Sequence, residues 1–316
     1  MRIGRHIVFA LALLLAVSCG GRKKAAVPVA LQDRAFPQPT VPTAYTEPAE
    51  RLEYLADHYW DGFFNGAGRT DSARVIGVPK AEVEQALANY IAVLNELPLP
   101  KAQKSVGHLF DQLSAKQQAD TAVRVYLAMT EIVARYLYDP NSPMRDEDLY
   151  LPFVQRMAAS PLTREDMRTA FRYEAGMCAL NPRGSIAPDF VITLRNGTGV
   201  RMHSVRAERT ILFFSNPGCQ NCKEIIDALK SNEYVCQQVS DGKLAVLNIY
   251  IDEDLKAWRD YMPIYPKEWL NGYDAAHILR QDQLYCIRAI PSLYLLDADK
   301  RILLKDAPVD RVLKGL

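Results

Sequence analysis

Cys219-Gln220-Asn221-Cys222 constrains this chain more than any other feature, because of what flanks it. Before it runs Thr210-Ile211-Leu212-Phe213-Phe214, a β-branched and aromatic stretch that predicts a buried strand. After it, Ile225, Ile226 and Leu229 fall on one face of a helix starting near the motif. The pattern is strand, tight turn, then two cysteines at a helix start. Unpaired N–H groups and the positive end of the helix dipole favour a thiolate on the first cysteine. One helical turn brings the second sulfur within reach of a disulfide. A structural zinc site would need a second ligand pair, and His58, His108, His203 and His277 stand singly. A purely structural bridge closing so short a loop would constrain the unfolded chain little. Thiol–disulfide exchange accounts for the pair better.

Downstream, Tyr285-Cys286-Ile287-Arg288-Ala289-Ile290-Pro291-Ser292-Leu293 opens a second apolar run. An X-Pro bond is the one place where a cis peptide costs little, and a proline opening a strand lacks a donor. This segment resembles the cis-proline segment of thioredoxins, and with the dithiol it identifies a thioredoxin-like domain. Ala187-Pro188-Asp189-Phe190, a hairpin with an Asn196-Gly197 turn and a second strand over 200–205 resemble the periplasmic thioredoxin-like reductases of cytochrome c maturation. Peroxiredoxins share the heading, but Asn216 and Leu212 stand where they carry Thr and Pro. Departures from thioredoxin are Gly218 for a tryptophan, Gln-Asn for Gly-Pro, and Phe213 for a buried aspartate. The resemblance implies that Cys219 attacks, Cys222 resolves, and Ile290 with Pro291 presents the substrate backbone. It implies no cofactor beyond an electron-donor protein of the membrane.

Arg2 and Arg5 precede an apolar run from Ile7 to Val17, the length of a signal-peptide core. Leu15-Ala16-Val17-Ser18-Cys19 resembles a bacterial lipobox, which implies lipidation at Cys19. Arg22-Lys23-Lys24 would add attraction to an anionic leaflet. The expected location is the Gram-negative cell envelope, lipid-anchored and facing the periplasm. The expected partners are envelope proteins carrying disulfides or thiols.

The chain has 316 residues, 49% hydrophobic and 24% charged, with a formal charge of +1 that drops by two once Arg2 and Arg5 leave. Those are globular values, and nothing in them suggests a nucleic-acid partner. The expected organisation is a lipoprotein signal peptide over 1–18, a lipidated Pro-rich tether over 19–46, a helical domain over 47–182 and a thioredoxin-like domain over 183–316. Helices are predicted at 51–60, from Pro79 through Leu94, at 118–137, at 149–157, and at 163–180 behind a Thr163-x-x-Asp166 capping box. Tyr54, Tyr59, Trp60 and Tyr150 are expected in their core. This region resembles the helical domain of unknown function that some bacterial lipoproteins carry ahead of a thioredoxin domain.

Of six cysteines, Cys178, Cys236 and Cys286 remain after the dithiol and Cys19; Cys178 and Cys236 are expected as buried thiols, and Cys286 as either another buried thiol or a regulatory one beside the cis-proline loop. Asp252-Glu253-Asp254 predicts a helix cap rather than a metal site. Trp258, Tyr261, Tyr265, Trp269 and Tyr273 mark an insertion packed on the sheet or rimming a groove. Two functions follow: a lipid-anchored thiol–disulfide oxidoreductase, or a lipid-anchored binding or scaffolding protein whose thioredoxin fold has little turnover.

Overall fold

Proline and acidic residues set the first helix: α1 (Pro48–His58) has Pro at its opening position and Glu50 in its first turn. The computed structural model describes residues 33–316; the signal sequence, Cys19 and Arg22-Lys23-Lys24 lie outside them. After α1 come α2 (Asp61–Phe64) and a hairpin of β1 (Arg74–Val75) and β2 (Val78–Pro79). Its two-residue turn puts both Ile76 (φ 49°) and Gly77 (φ 75°) in the left-handed region, as such tight hairpins demand. Then follow α3 (Lys80–Asn95), α4 (Leu99–Ala119), α5 (Val125–Leu137), α6 (Glu147–Ala159) and α7 (Glu165–Ala179).

Three expectations change here. α4 was not foreseen, although Ala102, Val106, Leu109, Phe110 and Leu113 form its buried stripe. The helix expected over 118–137 is instead the end of α4, a turn, and α5. Gln117 makes the break: its side chain donates to the Asp120 and Thr121 carbonyls and accepts from the Tyr126 amide. Thr163 does not cap α7; its hydroxyl pairs with Tyr126 at 2.7 Å, and Arg164 takes the cap position.

Part of the segment expected as tether is packed. Phe36 is buried 5.5 Å edge-on to Trp60, and Arg34 donates to the carbonyls of Phe63 and Ile76. An aromatic able to fill a gap beside Trp60, Phe63 and Tyr59 has more to gain in the core than in water. Tyr59, Trp60 and Tyr150 are buried as expected, while Tyr54 is half-exposed.

The second half is a sheet layered with helices: β3 (Val191–Leu194), β4 (Gly199–Arg201), β5 (Arg209–Phe214), α8 (Gln220–Ser231), α9 (Glu233–Ser240), β6 (Leu244–Tyr250), α10 (Leu255–Tyr261), β7 (Leu270–Tyr273), α11 (Ile278–Gln281), β8 (Ser292–Leu296), β9 (Ile302–Leu304) and α12 (Val309–Lys314). Among the described residues the sheet has seven strands in the order β4-β3-β7-β6-β5-β8-β9. β5, β6 and β7 run parallel, and the outer pairs antiparallel. β5 feeds both faces, because alternate strand residues point opposite ways. Ile211 and Phe213 join the core under α8, α9 and α12, whereas Leu212 and Phe214 join the core with Phe190, Met202 and Tyr285. The Asn196-Gly197 turn closes β3 to β4 with Gly197 at φ 83°. β4 ends at Arg201, shorter than predicted, as a 3-10 turn takes residues 202–204. Asp254 caps α10 by accepting from the Ala257 amide, and Trp258, Tyr265 and Trp269 are buried against the sheet.

Candidate active site

β5 delivers the dithiol. Five consecutive buried residues carry the chain to Ser215, whose amide donates to the Ile249 carbonyl of β6 and whose hydroxyl donates to Asn248 Oδ1 at 2.5 Å. The turn is held by Asn216 donating to Asp252 and by the Cys219 amide reaching the Asn216 carbonyl. Gly218 has φ 73°, and a Cβ there would meet nothing within 4 Å. Conformation rather than space explains glycine at this position, where thioredoxins carry tryptophan.

Cys219 is the N-cap of α8 and half-buried. Its sulfur accepts from the Cys222 amide at 3.3 Å, the place a serine or aspartate oxygen takes in an ordinary cap. The first cysteine therefore sits on unpaired N–H groups with its sulfur reachable, as the motif predicts. Cys222 is 1% exposed, and both thiols are free. Burial pushes the Cys222 thiol well up, and its neighbour Cys219 adds to the effect. One sulfur is accessible at the helix start; the other is buried beneath it, where burial disfavours its thiolate.

The Ile290–Pro291 bond is cis. Phe214 pairs with Ser292 in antiparallel register, so one step further Pro291 comes opposite Ser215, four residues before Cys219. Ile290 and Pro291 line a groove with Asn221 of the motif. The structure thus brings all four predicted residues, Cys219, Cys222, Ile290 and Pro291, to one edge. Phe213 is fully buried in the same core cluster as Cys222. Polar groups nearby are the chain Ser215–Asn248–Asn271, with 3.0 Å between the two amides.

Of the other cysteines, Cys178 and Cys286 are fully buried. Cys236 is exposed, contrary to expectation, with its sulfur 3.1 Å from the Lys230 carbonyl on the outer side of α9.

Sequence reasoning missed a buried charge cluster beside the cis-proline loop. Asp146, Glu147 and Asp148 crowd the start of α6, where a helix dipole favours anions. Glu147 pairs with Arg288 (2.6 Å) and Lys305 (3.1 Å), Asp148 with Arg183 (2.8 Å), and Asp146 with Arg183 (3.1 Å) and Arg311 (2.6 Å). Lys305 also donates to the Cys178 and Leu180 carbonyls, closing the C-terminal end of α7. Burial followed by the charge of Glu147 pushes the Cys178 and Cys286 thiols well up. A run of acids followed by an apolar stripe reads in sequence as a solvated helix start, so no local signal marked it.

A family model described as a domain of unknown function (DUF5106) matches residues 18–176, half of the chain. The chain belongs to that family. Over 89% of its length it is similar to the crystal structure of a thioredoxin-like protein from Bacteroides caccae, at 35% identity, 98% coverage of that protein and a TM-score of 0.74. The C-terminal domain of a Bacteroides fragilis protein is 42% identical over 43% of this chain and 97% of its own, with a TM-score of 0.42. The thioredoxin domain of a Bacteroides vulgatus thiol-disulfide oxidoreductase is 18% identical over 42% of this chain and 97% of its own, with a TM-score of 0.38. No curated protein matches the chain. This DUF5106 protein is accordingly a helical region joined to a thioredoxin-like domain.

Proposed function

We propose that this protein is a lipid-anchored thiol–disulfide oxidoreductase that exchanges disulfides with envelope proteins. The observation that carries the reading is the half-buried Cys219 sulfur on the open end of α8, with a buried Cys222 thiol one turn behind it and Pro291 across from the approach. In the reducing direction, the Cys219 thiolate attacks one sulfur of the client disulfide. An S–S bond to the client forms, and the client's other sulfur leaves as a thiolate. Cys222 then loses its proton to solvent and attacks Cys219. The client's second sulfur departs, leaving it reduced by two electrons and the protein with a Cys219–Cys222 disulfide. A membrane electron-donor protein returns the two electrons.

The test is trapping. Cys222→Ser should accumulate mixed disulfides through Cys219, seen by mass spectrometry after acid quenching; an absence of trapped clients from envelope extracts and from disulfide-bonded peptides would defeat the reading. A binding or scaffolding protein with little turnover is the second reading. Phe213, fully buried in one cluster with Cys222, favours it, since no carboxylate at that position takes the resolving proton. Steady-state reduction of a model disulfide separates the two.

Lipidation at Cys19, with the exchange domain facing the periplasm of a Gram-negative cell, completes the proposal. Two or more acyl chains hold a protein far more firmly than a short basic patch. Cys19→Ala should release the protein from the membrane fraction; unchanged partitioning would remove the anchor.

A further inference from the structure

The groove beside the dithiol has a second wall that does not come from the thioredoxin fold. It measures about 510 Å³. Asn221 and Ile225 of α8 line one side, and Ile290 with Pro291 form its edge. Pro140, Asn141 and Arg145, in the loop between α5 and α6, line the side opposite.

That loop is fixed at several points. Asp139 accepts from the Asn141 amide at 2.8 Å, and the Ser142 hydroxyl donates to the Tyr136 carbonyl at 2.6 Å. Arg145 donates through Nε to the Asp306 carbonyl at 2.9 Å, across to the strand side of the groove. Arg288, three residues before Pro291, grips the loop from below. Its guanidinium lies 4.0 Å from the centre of the Tyr138 ring and donates to the Tyr138 carbonyl, to Glu147 at 2.6 Å and to Asp306 at 3.1 Å. A planar fork filling several acceptors at once fixes orientation in a way that a lysine cannot. The helical wall and the cis-proline loop are thereby held at one spacing.

We propose that the helical region is half of the client site: its α5–α6 loop forms the wall against which an extended polypeptide strand lies while its disulfide meets Cys219, and Arg288 with Glu147 is the positioning pair that sets the groove's width. This rests on the exchange reading above. The occupant is a peptide segment rather than a small disulfide, because the groove continues past the motif along α8 to Ala228 and across to Val309. Ile225, Ala228, Ile290, Pro291 and Val309 give it apolar walls, which suit an apolar side chain beside the client cysteine. The Ala289 and Ile290 amides make no backbone hydrogen bond among the described residues, leaving donors at the edge for an extended strand.

The experiment compares kcat/KM for insulin, a disulfide-bonded polypeptide, with kcat/KM for 5,5′-dithiobis(2-nitrobenzoate), using the full mature protein. Asn141 is exposed, so Asn141→Trp obstructs the groove without touching the buried charges. The polypeptide-to-small ratio should fall about tenfold, with the loss in KM. Arg288→Gln should lower the same ratio, and Arg288→Lys should restore part of it. An unchanged ratio in Asn141→Trp, or an equal fall for both substrates, would overturn the shared groove even if Arg288→Gln misfolds. A wild-type protein inert towards both would overturn the exchange reading itself, and the groove with it.

Discussion

Two pairs of cysteines sit near the cis-proline loop in opposite settings. Cys219 and Cys222 share the first turn of α8, one at the surface and one just beneath. Cys178 ends α7 and Cys286 opens the loop to Pro291, and both are sealed among Glu147, Lys305 and Arg288. Burial pushes the thiols of Cys222, Cys178 and Cys286 upward alike. The difference lies in the neighbour. Cys222 has an accessible sulfur one turn away, so its proton can be drawn off when a mixed disulfide offers a target. Cys286 donates instead to a carboxylate, Glu147 Oε1 at 3.3 Å, which opposes a thiolate. Burial alone makes a thiol inert; a reachable partner sulfur makes it a resolving group.

The largest effect should follow from removing the accessible sulfur. Cys219→Ser should drop disulfide turnover to the level of buffer, because no other described thiol combines exposure with a helix start. Residual turnover above that level in a coupled assay would mean that a second cysteine reacts, and the contrast would fail.

The charge seam should dominate stability as the dithiol dominates chemistry. Glu147 is 1% exposed and faces Arg288 and Lys305. Glu147→Ala leaves Lys305 with backbone carbonyls alone and Arg288 with Asp306 as its one carboxylate, and should cost about 3 kcal/mol in denaturant unfolding. Lys223 pairs with Asp227 on the open face of α8, and Lys223→Ala should change stability by nothing measurable. Similar shifts in the two variants would show that the seam is as well solvated as the surface.

How far the sequence reached depends on which signals are local. The dithiol, its strand and its helix were legible because the period of apolar residues switches at Cys219, from the buried run of β5 to the single face of α8. Pro291 was legible from Ile-Pro heading an apolar strand. Arg288 and Glu147 were not, since they lie 141 residues apart and each reads alone as a surface charge. α4 escaped because Gly107 and a polar C-terminal turn dilute its stripe. A Cβ at Gly107 would meet only the tip of the partly exposed Arg156 side chain, which can swing aside. Cys236 was misplaced because α9 has only one fully buried residue, Val235, to fix its phase.

The pH response should also separate seam from dithiol. Burial, followed by the charge of Glu147, raises the Asp306 carboxyl to about 6 against the pull of Arg145, Arg288 and Ser292. Its folded value lies above the ordinary 3.8, so the folded state binds the extra proton. Stability from this group is therefore full below about 4 and lost as pH rises through about 6. Asp306→Asn should flatten the stability curve between those limits, removing a slope of at most about 1.4 kcal/mol per pH unit. A variant keeping the wild-type slope would assign that titration elsewhere.

A small effect tests the inert pair directly. Cys178 is fully buried against the helical core, and Cys178→Ala removes one sulfur from close packing. The cost should be about 1 kcal/mol, comparable to deleting a buried methylene. The Lys305 bond would survive, because it goes to the carbonyl of residue 178 and not to the sulfur. Disulfide exchange by Cys178→Ala should match the wild type, since its thiol touches neither the groove nor the dithiol. A loss of exchange larger than the loss of stability explains would make Cys178 a participant, and would move the boundary between structural and reactive sulfur from the edge of α8 into the seam.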